Sequence, residues 1–193
     1  NMAKYDEEVF TRLLDIAQRH RNCLDEHEDI ILQCPKKLMS RGIDLYGMFW
    51  PDMEIGKYIT YKGRLTKNEK SRHYSYYFDE QDRLRLTERF DDDGTILNYI
   101  FYYYNENSVE IVWYSFREKD VYITGFIDYV EGKISRFVES GYPQTESRKN
   151  KKTRAYREYL FDVDPNYVLD RTYAENLLGD GTIWEPIGKL RKH

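Results

Sequence analysis

The sequence predicts an α+β, mostly β fold: a long antiparallel β-meander, a curved sheet or partly closed barrel, with an N-terminal helix packed on one face. From residue 57 onward, short aromatic and β-branched segments alternate with turn residues, which is typical of an all-β sheet. Before them, residues 5–34 carry apolar side chains at helical spacings of three, four and seven. A chain of 193 residues is long enough to bury its own core.

The N-terminal segment is predicted to be helical from residue 5 to about residue 34. Three acids, Asp6, Glu7 and Glu8, lie in its first turn, where they complement the positive end of the helix dipole. Pro35 ends the pattern, because proline interrupts a helix. The pair Arg21-Asn22 offers a break, so one long helix and two shorter helices both satisfy the pattern.

Residues 36–56 follow as an apolar connector that is interrupted by glycine and proline. A solvated linker would be more polar, so we expect a packed loop with a short helical turn that covers one end of the sheet. Residues 2–56 then form the helix and connector, and residues 57–193 form the meander, in one domain overall.

The meander is predicted from apolar side chains that recur with a period of two. Polar turns such as Asp93-Gly94 separate the segments, and such short turns indicate hairpins. The strand candidates are 57–65, 72–79, 83–90, 96–104, 109–116, 121–130, 133–140, 154–162, 167–173 and 182–187. The four candidates between residues 83 and 130 are expected to be consecutive antiparallel neighbours, with a positive φ at Gly94.

Two turns within residues 78–96 share an order of residues: an aromatic residue and aspartate, then a glycine and an apolar strand start. The copies are Phe78–Leu84 and Phe90–Ile96, and Asp82 replaces the glycine in the first copy. This segment resembles the YD repeat of Rhs-type shells. Rhs-type systems and their small partner proteins belong to bacterial toxin–immunity competition, and the resemblance implies a role of that kind.

Charge and composition argue against several classes of protein. The chain has 34 acidic and 30 basic residues, a net charge of −4, whereas a dedicated duplex-DNA binder usually has a basic excess. No apolar run approaches the length of a membrane span, and no signal peptide is visible. Two cysteines are few for a secreted disulfide scaffold, so a cytoplasmic location is expected.

Candidates for a cofactor site are few. His20, Cys23 and His27 are spaced so that one helical face presents all three, and their types suit zinc. Without a paired CxxC or HxxxH motif, the alternative is that they are half-buried helix residues, and no metal or other cofactor is expected. The motifs of nucleophile elbows, phosphate loops and dinucleotide sites are also missing, so no catalytic residue is assigned and a non-enzymatic role is favoured over an enzymatic one.

One basic cluster lies between two predicted strands. It consists of Arg148, Lys149, Lys151, Lys152 and Arg154. A basic loop flanked by aromatic residues can bind a phosphate or a single nucleic-acid strand. The alternative is a solvated loop that is dispensable for folding, which is the usual behaviour of a charge run.

The tyrosines supply the strongest functional signal, since 19 of them raise the aromatic content to 16% and binding surfaces favour Tyr and Arg. The predicted partner-binding residues, expected on the sheet face away from the helix, are Tyr99, Tyr103, Tyr114, Tyr122, Arg85 and Arg89. The sequence therefore predicts a non-enzymatic module that covers a basic protein partner, as an immunity protein does. The alternative is a small-molecule-binding or enzymatic curled sheet with an aromatic-lined pocket.

Overall fold

A computed structural model describes residues 7–45, 63–140 and 153–176 and the strands at 183–184 and 187–191. The helices are α1 (Glu7–Arg19) and α2 (His27–Leu32), and single 3-10 turns span Cys23–Glu26 and Glu69–Ser71. The strands are β1 (Lys36–Arg41), β2 (Arg64–Leu65), β3 (Tyr74–Phe78), β4 (Leu84–Phe90), β5 (Ile96–Tyr104), β6 (Ser108–Ser115), β7 (Asp120–Val130), β8 (Lys133–Ser140), β9 (Thr153–Leu160), β10 (Tyr167–Asn176), β11 (Ile183–Trp184) and β12 (Ile187–Arg191).

The predicted class, α+β and mostly β with an antiparallel meander, is confirmed. The strand order is β11-β10-β9-β8-β7-β6-β5-β4-β3-β1-β2, with β12 also paired to β10, and this order does not close on itself. The four strands from β4 to β7 are consecutive neighbours, as expected. Gly94 has a φ of +86°, which confirms the predicted left-handed turn after three aspartates.

The N-terminal segment forms two helices separated by a short 3-10 turn, so the break at Arg21-Asn22 is real. Residues 36–41, expected to lie in a packed loop, instead form β1, in which Leu38 pairs with Tyr76 of β3. The predicted strand 57–65 is represented by β2 alone, because residues 46–62 lie outside the described part of the chain. The predicted boundary at residue 56 lies outside it as well.

The chain divides into two compact units. The first contains α1, residues 104–112 and the strands from β7 onward. Its core forms where α1 packs on the sheet: the Thr124 hydroxyl donates to the Leu13 carbonyl oxygen at 2.9 Å, and the Phe10 ring meets the Tyr156 ring edge-on at 5.0 Å. The expected packing of the N-terminal helix on one face is thereby confirmed.

Charged side chains cross between α1 and the sheet in the first unit. Arg12 donates two hydrogen bonds to the Asp128 carboxylate, at 2.8 and 2.7 Å. Arg136 reaches the same carboxylate at 3.5 Å. Both guanidinium groups lie over the buried Phe126 ring, at 3.6 Å for Arg12 and 5.2 Å for Arg136. Helix and sheet are therefore joined by a shared carboxylate and a shared aromatic ring.

The second unit contains residues 22–103 and 113–119, and thus α2 and the strands β1 to β5. Its strands pair antiparallel in the order β2-β1-β3-β4-β5. Its largest fully buried side chains are Tyr76, Leu86, Ile100, Phe101 and Tyr102. Tyrosines form much of this core, so the high tyrosine content is in part a packing feature.

One tyrosine hydroxyl organises a buried polar network in the second unit. Tyr76 donates to the carboxylate of Asp44, which is also buried, and accepts the Leu45 N–H at 2.9 Å. The Ser40 hydroxyl lies 3.1 Å from the same oxygen. Burial and the nearby Asp44 charge raise the pKa of Tyr76, so the hydroxyl stays protonated and keeps donating.

Neither α1 nor α2 has the length and apolar character that a membrane span requires, and the same is true of every helix in the described ranges.

The basic residues Arg148, Lys149, Lys151 and Lys152 lie outside the described ranges. Arg154 belongs to β9, and only its backbone is described.

Candidate functional site

Two of the predicted partner-binding residues, Tyr99 and Tyr103, lie under a helical segment in the second unit. The His27 ring stacks on Tyr99, with ring centroids 4.0 Å apart and an interplanar angle of 8°. The Tyr103 hydroxyl donates to Glu26 at 2.5 Å. The expectation that Tyr99 and Tyr103 lie on the sheet face away from the helix is therefore wrong. After the break at residues 21–22, the chain forms the 3-10 turn and α2, and these cover the two tyrosines.

The other predicted residues are distributed more widely. Tyr114 packs edge-on against Phe116 at 5.2 Å, and Phe116 packs against Tyr99 at 4.8 Å. Arg85 is the extra residue at a β-bulge, 3.9 Å from Asp79, and its charge also acts on Tyr103. Tyr99, Tyr103, Tyr114 and Arg85 are thus brought into one half-buried group.

Two predicted residues do not join this group. Arg89 follows Glu88, whose cross-strand partner is Tyr99, so Arg89 lies on the opposite face of the sheet. Its hydrogen bond to Tyr74 and its pairing with Asn98 agree with that placement. Tyr122 belongs to β7 of the first unit and is half-buried.

We call residues 22–33 the acidic segment, because it contains four acids and neither Lys nor Arg. The side chains of Asp25, Glu26, Glu28 and Asp29 are all exposed. Two leucines accompany them: Leu24 is 36% exposed and Leu32 is 84% exposed. The acidic segment therefore presents negative charge and apolar surface together, a combination that surfaces binding basic proteins use.

The inner side of the acidic segment is fixed to the sheet. Cys23 and Ile30 are buried, and His27 forms a hydrogen bond with Glu88 at 3.0 Å. Burial, and then the hydrogen bond to Glu26, raise the pKa of Tyr103, so its hydroxyl keeps donating at all physiological pH values. The acids are thus carried on a backbone held in place at several points, and little ordering is needed on binding.

The residues considered for zinc have other partners. His20 lies 3.0 Å from a Glu110 oxygen, and Glu110 also receives hydrogen bonds from Arg19. His27 pairs with Glu88, and the Cys23 side chain is buried. Within the described ranges, no group of three or more His, Cys, Asp or Glu side chains is placed to hold a metal ion.

A second polar group, which the sequence did not reveal, lies in the first unit. Glu139 of β8 pairs with Arg157 of β9, and Arg157 donates to both oxygens of Asp170, at 2.9 and 2.6 Å. The Arg157 guanidinium also lies 4.9 Å from the Tyr159 ring centroid. We call these four residues the Glu139 cluster. It combines two carboxylates, one guanidinium and one phenol on a single face of the sheet.

Glu139 titrates near neutrality. Burial raises its pKa to about 7, because the attraction of Arg157 only partly offsets desolvation and the Asp170 charge raises the pKa further. Gly125 pairs with Glu139 from β7 and adds no side chain above it. An isolated glycine within a strand was the one available sequence signal, since it often marks a close approach of backbone or ligand.

Comparison with known proteins gives no family assignment. The chain matches no protein-family model, no curated protein and no solved structure. The resemblance of residues 78–96 to the YD repeat therefore stays a prediction.

Proposed function

We propose that this protein binds a basic protein partner through the acidic segment of residues 22–33. The observation that supports the proposal most directly is the exposure of four acids and two leucines on a segment without a basic residue. Opposite charge speeds the encounter between two proteins, and apolar contacts slow their separation.

The proposed mechanism is occlusion. The acidic segment covers a basic surface of the partner, such as the active site of an enzyme that acts on an anionic substrate, and blocks access to it. A rigid inhibitor loses little conformational entropy on binding, and the contacts of His27 and Tyr103 supply that rigidity. The resemblance to Rhs-type repeats favours the interpretation that the partner is a toxin and that this chain is its immunity protein.

The first prediction concerns charge reversal in the acidic segment. The variant Asp25→Lys/Asp29→Lys is expected to weaken partner binding by at least about tenfold, because charge repulsion replaces attraction. The measurement is affinity capture from the native host, followed by titration of the captured protein. The matched control is Glu80→Lys/Glu106→Lys, which changes the net charge equally at two other exposed acids.

The control variant should retain binding, and binding to the native protein should weaken as salt concentration rises. Both variants should keep the native circular dichroism spectrum, since all four side chains are exposed. If Asp25→Lys/Asp29→Lys binds the partner as well as the native protein does, the acidic segment is not the contact surface.

The Glu139 cluster favours a second candidate function, the binding of a small molecule or a proton transfer on it. A carboxyl group that titrates near pH 7 can both donate and accept a proton under physiological conditions. Tyr159 and Phe137, stacked with centroids 5.7 Å apart, provide the aromatic surface beside it.

The second prediction tests this titration. A folded-state pKa of about 7, above the ordinary value of 4.5, means that protonation of Glu139 stabilises the fold. That stabilisation is fully present below pH 4.5 and is lost as pH rises through about 7. Over this range, the free energy of unfolding of the native protein should fall by about 2 kcal/mol relative to that of Glu139→Gln; this figure is reduced because the Glu139 side chain is only half-buried.

Urea denaturation at several pH values measures the difference, with the exposed Glu131→Gln as a control that should follow the native curve. If the free energy of unfolding depends on pH in the same way for the native protein and for Glu139→Gln, then the pKa of Glu139 is not raised, and the support for this second function is removed. A small molecule that is retained by the native protein but lost from Glu139→Gln in native mass spectrometry would strengthen it.

A further inference from the structure

Two arginines face each other at the end of the sheet in the second unit. Arg41, the last residue of β1, pairs directly with Arg64, the first residue of β2. Both are exposed, and among the described residues neither side chain has a hydrogen bond or an ion pair. Like charges placed directly opposite each other on neighbouring strands are destabilising. This pair therefore costs folding free energy unless an anion neutralises it.

The surrounding backbone holds the arginine pair in place. Gly42 directly follows β1 and has a φ of +84°, a conformation that residues other than glycine rarely adopt. Its N–H donates to His73 Nδ1 at 2.8 Å, and His73 Nε2 lies 2.7 Å from Asp92. Gly63 lies so close to Ile43 that a Cβ atom would be 1.7 Å from the Ile43 carbonyl oxygen. The opposed arrangement is therefore fixed by close backbone packing.

The two arginines also border a cavity of about 450 Å³. Its described lining consists of Arg41, Gly42, Arg64, Leu65 and Thr66. This volume is in the range of sites for small molecules. Leu65 is 64% exposed and adds apolar surface beside the two charges. The cavity thus offers two cationic groups at one place and an apolar contact next to them.

We propose that this cavity binds a small phosphate monoester, with the phosphate between Arg41 and Arg64 and the organic group against Leu65. A guanidinium group binds two phosphate oxygens at once, and a dianion neutralises two opposed arginines together. This site is independent of the proposed protein contact, which requires a basic partner at the acidic segment, whereas the cavity takes an anion.

The test uses phenyl phosphate as the probe, with inorganic phosphate and phenol as its two separate parts. Isothermal titration calorimetry should show binding of phenyl phosphate to the native protein, weaker binding of inorganic phosphate, and no binding of phenol. Arg41→Gln and Arg64→Gln should each weaken phenyl phosphate binding by about tenfold or more, and Arg41→Lys, which keeps the charge, by less. Arg117→Gln, an exposed arginine outside the lining, is the matched control and should bind normally.

The same variants give a second readout without ligand. Because the pair repels itself, Arg41→Gln and Arg64→Gln should raise the melting temperature by about 1–2 °C, whereas Arg117→Gln should not. Arginines with a purely structural role would give a lower melting temperature instead, and this result would overturn the proposal. Failure of the native protein to bind phenyl phosphate, or equal binding by Arg41→Gln/Arg64→Gln, would overturn it too.

Discussion

Phe126→Ala is expected to lower the free energy of unfolding by about 3–5 kcal/mol, the usual cost of removing a buried aromatic ring. Phe126 is 0% exposed and lies beneath the guanidinium groups of Arg12 and Arg136. Its loss would leave a cavity at the junction of α1 and the sheet and would remove the aromatic contact of two cations that share Asp128. Urea denaturation of the two proteins measures the difference.

Phe126→Leu is the matched control, because it keeps most of the apolar volume but removes the aromatic face. We expect Phe126→Leu to lower the free energy of unfolding by about 1–2 kcal/mol. Because the aromatic face is then missing, Arg12→Gln should cost less stability in the Phe126→Leu background than in the native protein. Equal losses for Phe126→Ala and Phe126→Leu would show that the site collapses around the missing ring and that the packing there is not specific.

Tyr76→Phe is expected to lower the free energy of unfolding by about 4 kcal/mol, although it removes only one oxygen atom. Without that oxygen, the buried Asp44 carboxylate loses a donor and the Leu45 N–H loses an acceptor. An unsatisfied buried group costs roughly 1–3 kcal/mol, and a charged group costs more. Chemical denaturation at pH 7 would measure the loss.

Tyr102→Phe provides the comparison for Tyr76→Phe. Tyr102 is equally buried, and its hydroxyl lies 3.1 Å from the neutral Thr87 hydroxyl, so we expect a loss of only about 1 kcal/mol. Adding Asp44→Asn to Tyr76→Phe should recover part of the stability, because it removes a buried charge that has lost a donor. If the two Tyr→Phe variants lose the same stability, the Asp44 carboxylate does not depend on the Tyr76 hydroxyl.

The strands from β4 to β8 were predictable because local features agree with one another. Alternating apolar residues mark each strand, and the turns carry residues that tolerate positive φ, such as Gly94 at +86° and Gly132 at +77°. β1 was not predictable in this way, since Lys36–Arg41 has no regular alternation. Its strand conformation comes from hydrogen bonds with β3, which depend on tertiary structure rather than on local propensity.

The candidate sites depend even more on contacts between distant residues. Alternation indicated that Tyr99 and Tyr103 share a face, but it cannot indicate which face a helix covers. His27 and Glu88 are 61 residues apart in sequence, and their hydrogen bond places the acidic segment. The pairing of Arg41 with Arg64 likewise depends on how the intervening chain returns, which no local pattern determines.

The contact between α1 and β7 has a consequence for the synthesis of the chain. The Leu13 carbonyl and the Thr124 hydroxyl are separated by 111 residues. At roughly 5–20 residues per second, a ribosome needs on the order of 5–20 s after completing α1 to deliver β7. During that interval the buried side chains of Phe10, Leu13 and Ile16 lack the strands against which α1 finally packs, and a helix of 13 residues is barely stable alone. The order of the elements, rather than the final stability, therefore sets how long the nascent chain is open to aggregation.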